Sequence, residues 1–152
     1  MDRAQIEAYF DDPKRQEQLV QAISRLVRIR SVREDAQPGM PFGPGPAAAL
    51  AEALALCGEL ALSAQNHENY VGTADLNEKE TRLHILGHLD VVGEGTGWTV
   101  CEPYAPTVKD GCIYGRGTSD DKGPMVAALM AMRAVKDLGF SLKKNVRLIA
   151  GT

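Results

Sequence analysis

The stretch Leu83-His84-Ile85-Leu86-Gly87-His88-Leu89-Asp90 decides how this chain is read. Leu83, Ile85 and Leu86 predict an apolar β-strand that runs straight into Gly87. Strand ends are where α/β proteins present reactive groups, and this one delivers His88 and then Asp90. With strand geometry maintained, those two side chains point to one face. An imidazole nitrogen suits zinc. A carboxylate beside it can accept the other ring N–H, fix the ring and make the ligand more basic. The same residues also fit a solvated strand end with no chemistry, because His-x-Asp alone is a weak signal. His84, inside the strand, reads as structural or partly exposed, and His67, beside Glu68 and Asn69, as a surface residue.

Downstream lies Tyr114-Gly115-Arg116-Gly117-Thr118-Ser119-Asp120-Asp121-Lys122-Gly123-Pro124. Two adjacent acids stand between a glycine-rich turn and a predicted helix over 122–138, with Pro124 in its first turn and Gly139 at its stop. Acids there are natural helix caps. The glycines permit close approach, so a carboxylate at this point could also reach into a cleft and offset the repulsion between two cations roughly 3.5–4 Å apart. A phosphate loop is excluded, because the acids would repel the ligand and no Gly-Lys-Ser/Thr ending follows. Met125, Val126, Leu129, Met130, Met132 and Val135 cover much of the helix, which predicts burial on more than one side. Val146 to Ala150 then forms an apolar strand expected inside a sheet.

Upstream, Pro13 opens a helix with Leu19, Val20, Ile23, Leu26 and Val27 at helical spacing. Residues 31–46 read as a loop, and Pro46 as the start of a second helix ending near Gly58. Leu60 to Ser63 and Tyr70 to Ala74 are strand candidates, and Asp110-Gly111 is a turn before a short strand at 112–114. Helices and strands alternate without internal repeat, so the class is α/β.

The composition narrows the function. The chain has 152 residues, 44% hydrophobic and 24% charged, which suits one globular domain and argues against wholesale disorder. A net charge of −3 without a basic run argues against nucleic-acid binding. No stretch approaches the roughly 20 apolar residues of a membrane span, and no signal-peptide pattern opens the chain. Cys57, Cys101 and Cys112 form neither a disulfide framework nor a C-x-x-C motif. They are expected as reduced, mostly buried thiols of a cytoplasmic protein.

Taken together, Gly-His-Leu-Asp-Val-Val at 87–92, Gly97-Trp98, Pro103-Tyr104 and Asp110 to Pro124 resemble the co-catalytic zinc metallopeptidases. That family includes aminoacylase, carboxypeptidase G and succinyl-diaminopimelate desuccinylase. Phe42-Gly43-Pro44-Gly45-Pro46, Glu68-Asn69-Tyr70 and Gly97-Trp98 look most like its bacterial Xaa-His dipeptidase branch. Gly93 departs from that branch, which usually has Pro there. The resemblance implies a three-layer α/β catalytic domain with a mixed sheet flanked by helices. It implies that His88 ligates zinc, that Asp90 orients His88 in catalysis, that Asp120 bridges two zinc ions (manganese or cobalt being possible) and that the Asp120–Asp121 peptide is cis. A dipeptide would be cleaved by a metal-bridged hydroxide; an N-acyl amino acid is the alternative substrate within the family.

The family's next motif is a Glu-Glu pair after a strand ending in Gly-Thr, and this sequence ends at Gly151-Thr152. The expectation is therefore that residues 1–152 are the N-terminal portion of the catalytic domain, truncated on its C-terminal side. The lid and dimerisation domain would lie elsewhere. Such a piece would bind metal weakly or not at all, would be inactive, and would form a homo-oligomer through an exposed sheet edge. A non-catalytic binding or dimerising module is the reading from a different class.

Overall fold

A computed structural model describes residues 3–152. Its helices are α1 (Arg3–Phe10), α2 (Pro13–Val27), α3 (Pro44–Glu59) and α4 (Lys122–Asp137). Its strands are β1 (Ser63–His67), β2 (Val71–Asp75), β3 (Thr81–His88), β4 (Thr107–Lys109), β5 (Cys112–Tyr114) and β6 (Asn145–Gly151). Four strands form a mixed sheet in the order β1-β2-β6-β3, with β3 and β6 parallel and the other pairs antiparallel. Strands β4 and β5 form a separate hairpin whose turn residues, Asp110 and Gly111, both have positive φ, as a two-residue turn that follows the strand twist requires.

Local signals explain the helix ends. The Asp12 side chain accepts the Lys14 N–H at 3.0 Å, and Pro13 fills the first position of α2. At the far end of α4, Gly139 has φ 68°, and Phe140 donates its N–H to the Val135 carbonyl, closing the helix with a left-handed residue. Helix α3 differs from expectation at both ends. It starts at Pro44, runs through Gly58, and closes at Leu60. The apolar residues 60–62 form the helix-to-strand turn, with Leu62 buried. The strand itself is the polar, fully exposed Ser63–His67, an edge strand that carries no apolar signature.

Helices α2, α3 and α4 pack on one face of the sheet. Leu26, Val27, Leu50, Leu56, Met125, Val126 and Leu129 meet Ala74, Leu148 and Ala150 in a single core. As expected, β6 lies inside the sheet. The opposite face is open among the described residues: Leu86 is 77% exposed, and no third layer covers it. The two sheet edges without a partner among the described residues belong to β1 and β3. The cysteines also depart from expectation, since only Cys57 is buried, Cys101 is half-buried and Cys112 is exposed on the hairpin. Burial pushes the Cys57 thiol up to about 11.

The open face is held by polar contacts. Arg147 on β6 grips Asp75 on β2 through two bonds of 2.8 Å. Buried Asn145 donates to Asp75 and to the Thr81 hydroxyl, tying three strands together. The Arg147 bond, aided by Asn145, lowers the Asp75 pKa against the opposing effect of burial. A carboxylate with a depressed folded pKa stabilises the fold above its unfolded pKa of about 3.9, and that stabilisation is lost as pH falls through the folded value. Asp75→Asn should therefore cost about 1 kcal/mol at neutral pH. Urea denaturation should show the difference from wild type vanishing in strong acid.

The end of β3 meets the start of α4 without room for a side chain. A Cβ on Gly87 would stand 2.3 Å from Met125 Sδ and 2.4 Å from Asp121 Oδ2. Gly87→Ala should destabilise the chain by about 1–3 kcal/mol through overpacking. Gly93→Ala, with nothing within 4 Å of the new carbon, should leave the denaturation midpoint unchanged.

Candidate metal centre

His88 is the last residue of β3, and its backbone is fixed from two directions. Across the sheet it is in register with Gly151, and Leu89 donates its N–H to the Gly151 carbonyl at 2.8 Å. From the helix side, Asp121 Oδ2 accepts the His88 backbone N–H at 3.1 Å. The next residues leave the sheet, where a buried serine takes over: Ser31 Oγ donates to the Leu89 carbonyl at 2.6 Å, and Val91 donates its N–H to the Ser31 carbonyl.

This scaffold brings the three residues singled out from the sequence together. The His88 ring has Nδ1 3.1 Å from the Asp90 backbone carbonyl and 3.2 Å from Asp90 Oδ1. Its Nε2 lies 3.0 Å from Asp120 Oδ1. The strand ends at 88, so Asp90 reaches the ring by a turn of the chain and presents its main chain as well as its carboxylate. With Nδ1–H donated to Asp90, Asp120 accepts a proton carried on Nε2, and loss of that proton would leave the Nε2 lone pair to a metal. Burial works against a positive ring, but the Asp90 carbonyl and the Asp90 and Asp120 carboxylates outweigh it, so the His88 pKa is raised. His84 and His67 lie elsewhere, both exposed on their strands.

The site opens on a cavity of about 180 Å³ lined by His88, Asp90, Val91, Gly117, Thr118 and Asp120. A larger hollow of about 790 Å³ lies among helices α1 to α4, and none of the three site residues lines it. An imidazole nitrogen and a carboxylate oxygen aimed at one another are donors that suit a divalent zinc-like ion. The Asp120 side chain is 86% exposed and so free to turn toward such an ion. The donor set is incomplete, however: no group of three or more His, Cys, Asp or Glu able to hold a metal occurs among the described residues.

Two residues beside the site differ from their sequence reading. Asp121 occupies the N-cap position of α4, yet its side chain makes no cap bond; it serves the His88 backbone instead. The Asp120–Asp121 peptide is cis. Lys122, read only as a helix start, is fully buried and donates to the carbonyls of Leu26 at 2.9 Å and Ile29 at 2.7 Å. Burial lowers its pKa to about 8 against the opposing Asp90 charge. A lysine in the first turn of a helix, where the dipole disfavours a cation, was the available clue. Gly123 follows from packing, since a Cβ there would lie 1.9 Å from the Thr118 carbonyl oxygen.

Residues 84–152, which include His88, Asp90 and Asp120, match the model of peptidase family M20/M25/M40. A putative dipeptidase, YtjP of Bacillus subtilis, is 38% identical over 91% of this chain and 30% of its own length. The Beta-Ala-Xaa dipeptidase of Lactobacillus delbrueckii subsp. lactis is 35% identical over 88% of this chain and 29% of its own. Among solved structures, human carnosine dipeptidase 1 superposes with a TM-score of 0.79 and 27% identity, covering 97% of this chain and 34% of that one. The chain thus spans about 30% of the length of the curated relatives it matches. The motif-bearing residues 84–152 are thus where this chain is similar to peptidase family M20/M25/M40.

Proposed function

We propose that these residues form part of the metal centre of a dipeptidase, completed by further polypeptide of the kind its relatives possess. The carrying observation is the approach of His88 Nε2 to Asp120 Oδ1 at 3.0 Å over one cavity. The relatives named as dipeptidases support the choice of substrate class. In this reading His88 and Asp120 would hold divalent metal, zinc by preference, with two ions in the complete centre and Asp120 as a ligand available to both. Asp90 keeps Nδ1 protonated so that Nε2 stays a donor of electrons to the metal. Asp121 holds the His88 main chain and contributes no ligand. A bound divalent ion would supply Lewis acidity for a peptide carbonyl and for water at neutral pH.

The donor count sets a limit on the 152 residues by themselves. Zinc takes about four ligands, and His88 with Asp120 supplies two. We propose weak metal binding and no turnover by this chain alone. No helix among the described residues is long and apolar enough to cross a membrane. A cytoplasmic location is part of the same proposal.

The test is dipeptide hydrolysis by a polypeptide of the relatives' length that carries these residues. His88→Ala and Asp120→Ala should each lower kcat/KM by about a thousandfold or more, the several kcal/mol of a lost metal. Asp90→Asn should lower metal affinity or activity by about 10–100-fold. Activity that survives both chelation and His88→Ala would sink the proposal.

Self-association belongs to the same reading. The outer edge of β3 carries unpaired backbone groups, beside Leu83 and Leu86, which are 54% and 77% exposed. Such an edge pairs readily with another chain. We propose that the isolated chain forms a homo-oligomer there and that Leu86→Lys shifts it toward monomer. Light scattering that finds wild type and variant equally monomeric at high concentration would refute this.

A further inference from the structure

Residues 89–106 link the two halves of the candidate centre. His88 and Asp90 stand at one end of this link, and the turn that carries Asp120 follows the β4–β5 hairpin. Apart from isolated turns and bends, the link has no regular structure, so its carbonyls have no ladder partner. One side chain from the Asp120 turn supplies what is missing. Arg116 Nη2 donates to the carbonyls of Gly93 at 3.1 Å and Glu94 at 2.8 Å. The same Glu94 carbonyl accepts the Trp98 indole N–H at 2.8 Å, and the guanidinium lies 5.3 Å from the Trp98 ring centroid. Arg116 is also tied through its backbone, donating its N–H to the Pro103 carbonyl at 2.7 Å. On the other side of the link, Arg30 pairs with Glu94 at 2.5 Å.

Arg116 therefore crosses from the turn bearing Asp120 to the segment that leaves Asp90, and it lines the cavity with both acids. A rigid planar fork suits this position, because it can bond two carbonyls and lie against an indole at once. Lysine, a point charge on a flexible stem, can bond carbonyls but has no planar face to lie against the indole.

We propose that Arg116 is a positioning residue for the metal centre: it clamps the 93–98 segment against the 115–120 turn and thereby sets how His88 and Asp120 face each other. This rests on the metal reading given above. It makes no claim that Arg116 touches metal or substrate.

Two reporters in the chain make the test direct. Trp98 is the single tryptophan, and His88 is one of three histidines, so His67 and His84 serve as internal controls. Acrylamide quenching of Trp98 and broadening of the histidine ring proton signals by cobalt(II), titrated to millimolar concentrations, are measured in wild type, Arg116→Gln and Arg116→Lys. Urea midpoints and far-ultraviolet circular dichroism select the variants that remain folded. In Arg116→Gln, quenching of Trp98 should rise severalfold, as for a segment released to local motion. The cobalt concentration that half-broadens His88 should rise by about tenfold or more, the effect of losing an outer support of a metal ligand, while His67 and His84 behave as in wild type. Arg116→Lys should recover part of the Trp98 protection and little of the cobalt response. Equal quenching in wild type and Arg116→Gln overturns the inference, and so does an unchanged cobalt response in a folded variant. If wild-type His88 does not respond to cobalt at all, the weak metal binding proposed above for this chain fails, and the role assigned to Arg116 falls with it.

Discussion

The fit between the end of β3 and the start of α4 is the constraint on which the rest of this structure depends. At Gly87 the strand passes so close to Met125 and Asp121 that only a hydrogen atom can occupy the side-chain position. That closeness lets the Asp121 carboxylate reach the His88 backbone N–H. It also puts Asp120, the preceding residue, within hydrogen-bond distance of the His88 ring. A larger residue at 87 would push the helix away and separate the two donors. Packing and chemistry are one problem here, because a densely packed interior transmits a displacement instead of absorbing it.

Around that junction buried Lys122 and Ser31 and half-buried Arg116 direct polar side chains to loop carbonyls. Lys122 holds the carbonyls at the end of α2, Ser31 holds the one after His88, and Arg116 holds two in the irregular link. Backbone groups outside helices and sheets must find partners when water is excluded, and these side chains provide them. Even a neutral lysine amine keeps two N–H groups, so the two bonds of Lys122 survive loss of its proton. The result is a collar of hydrogen-bonded, non-repetitive chain around a small polar opening. His88 itself stands between proton and metal: its acidic neighbours stabilise the protonated ring, and any ion at Nε2 must displace that proton, which makes binding pH-dependent.

The sheet is finished on one side only. Its helix-covered face holds the core, while its other face rests on the Asp75–Arg147–Asn145 network and leaves Leu86 in contact with solvent. This asymmetry accompanies the limited span of the chain relative to its relatives. It also explains why the stability of the open face is electrostatic and acid-sensitive, whereas that of the helical face is hydrophobic.

The sequence by itself determined the α/β class, the helices opened by Pro13 and stopped by Gly139, the interior position of the 146–150 strand, and the candidate trio His88, Asp90 and Asp120. These were legible because they rest on local rules: hydrophobic period, helix punctuation, and an ordered motif at a strand end. Only the tertiary structure decided that β1 is the polar segment 63–67, that β1 and β3 are the sheet edges, and that Asp121 serves a strand instead of capping its own helix. The burial of Lys122 and the clamp made by Arg116 were likewise invisible in one dimension. Each depends on which distant segment comes to lie opposite a side chain, and a carbonyl in need of a donor leaves no mark in the identity of its residue.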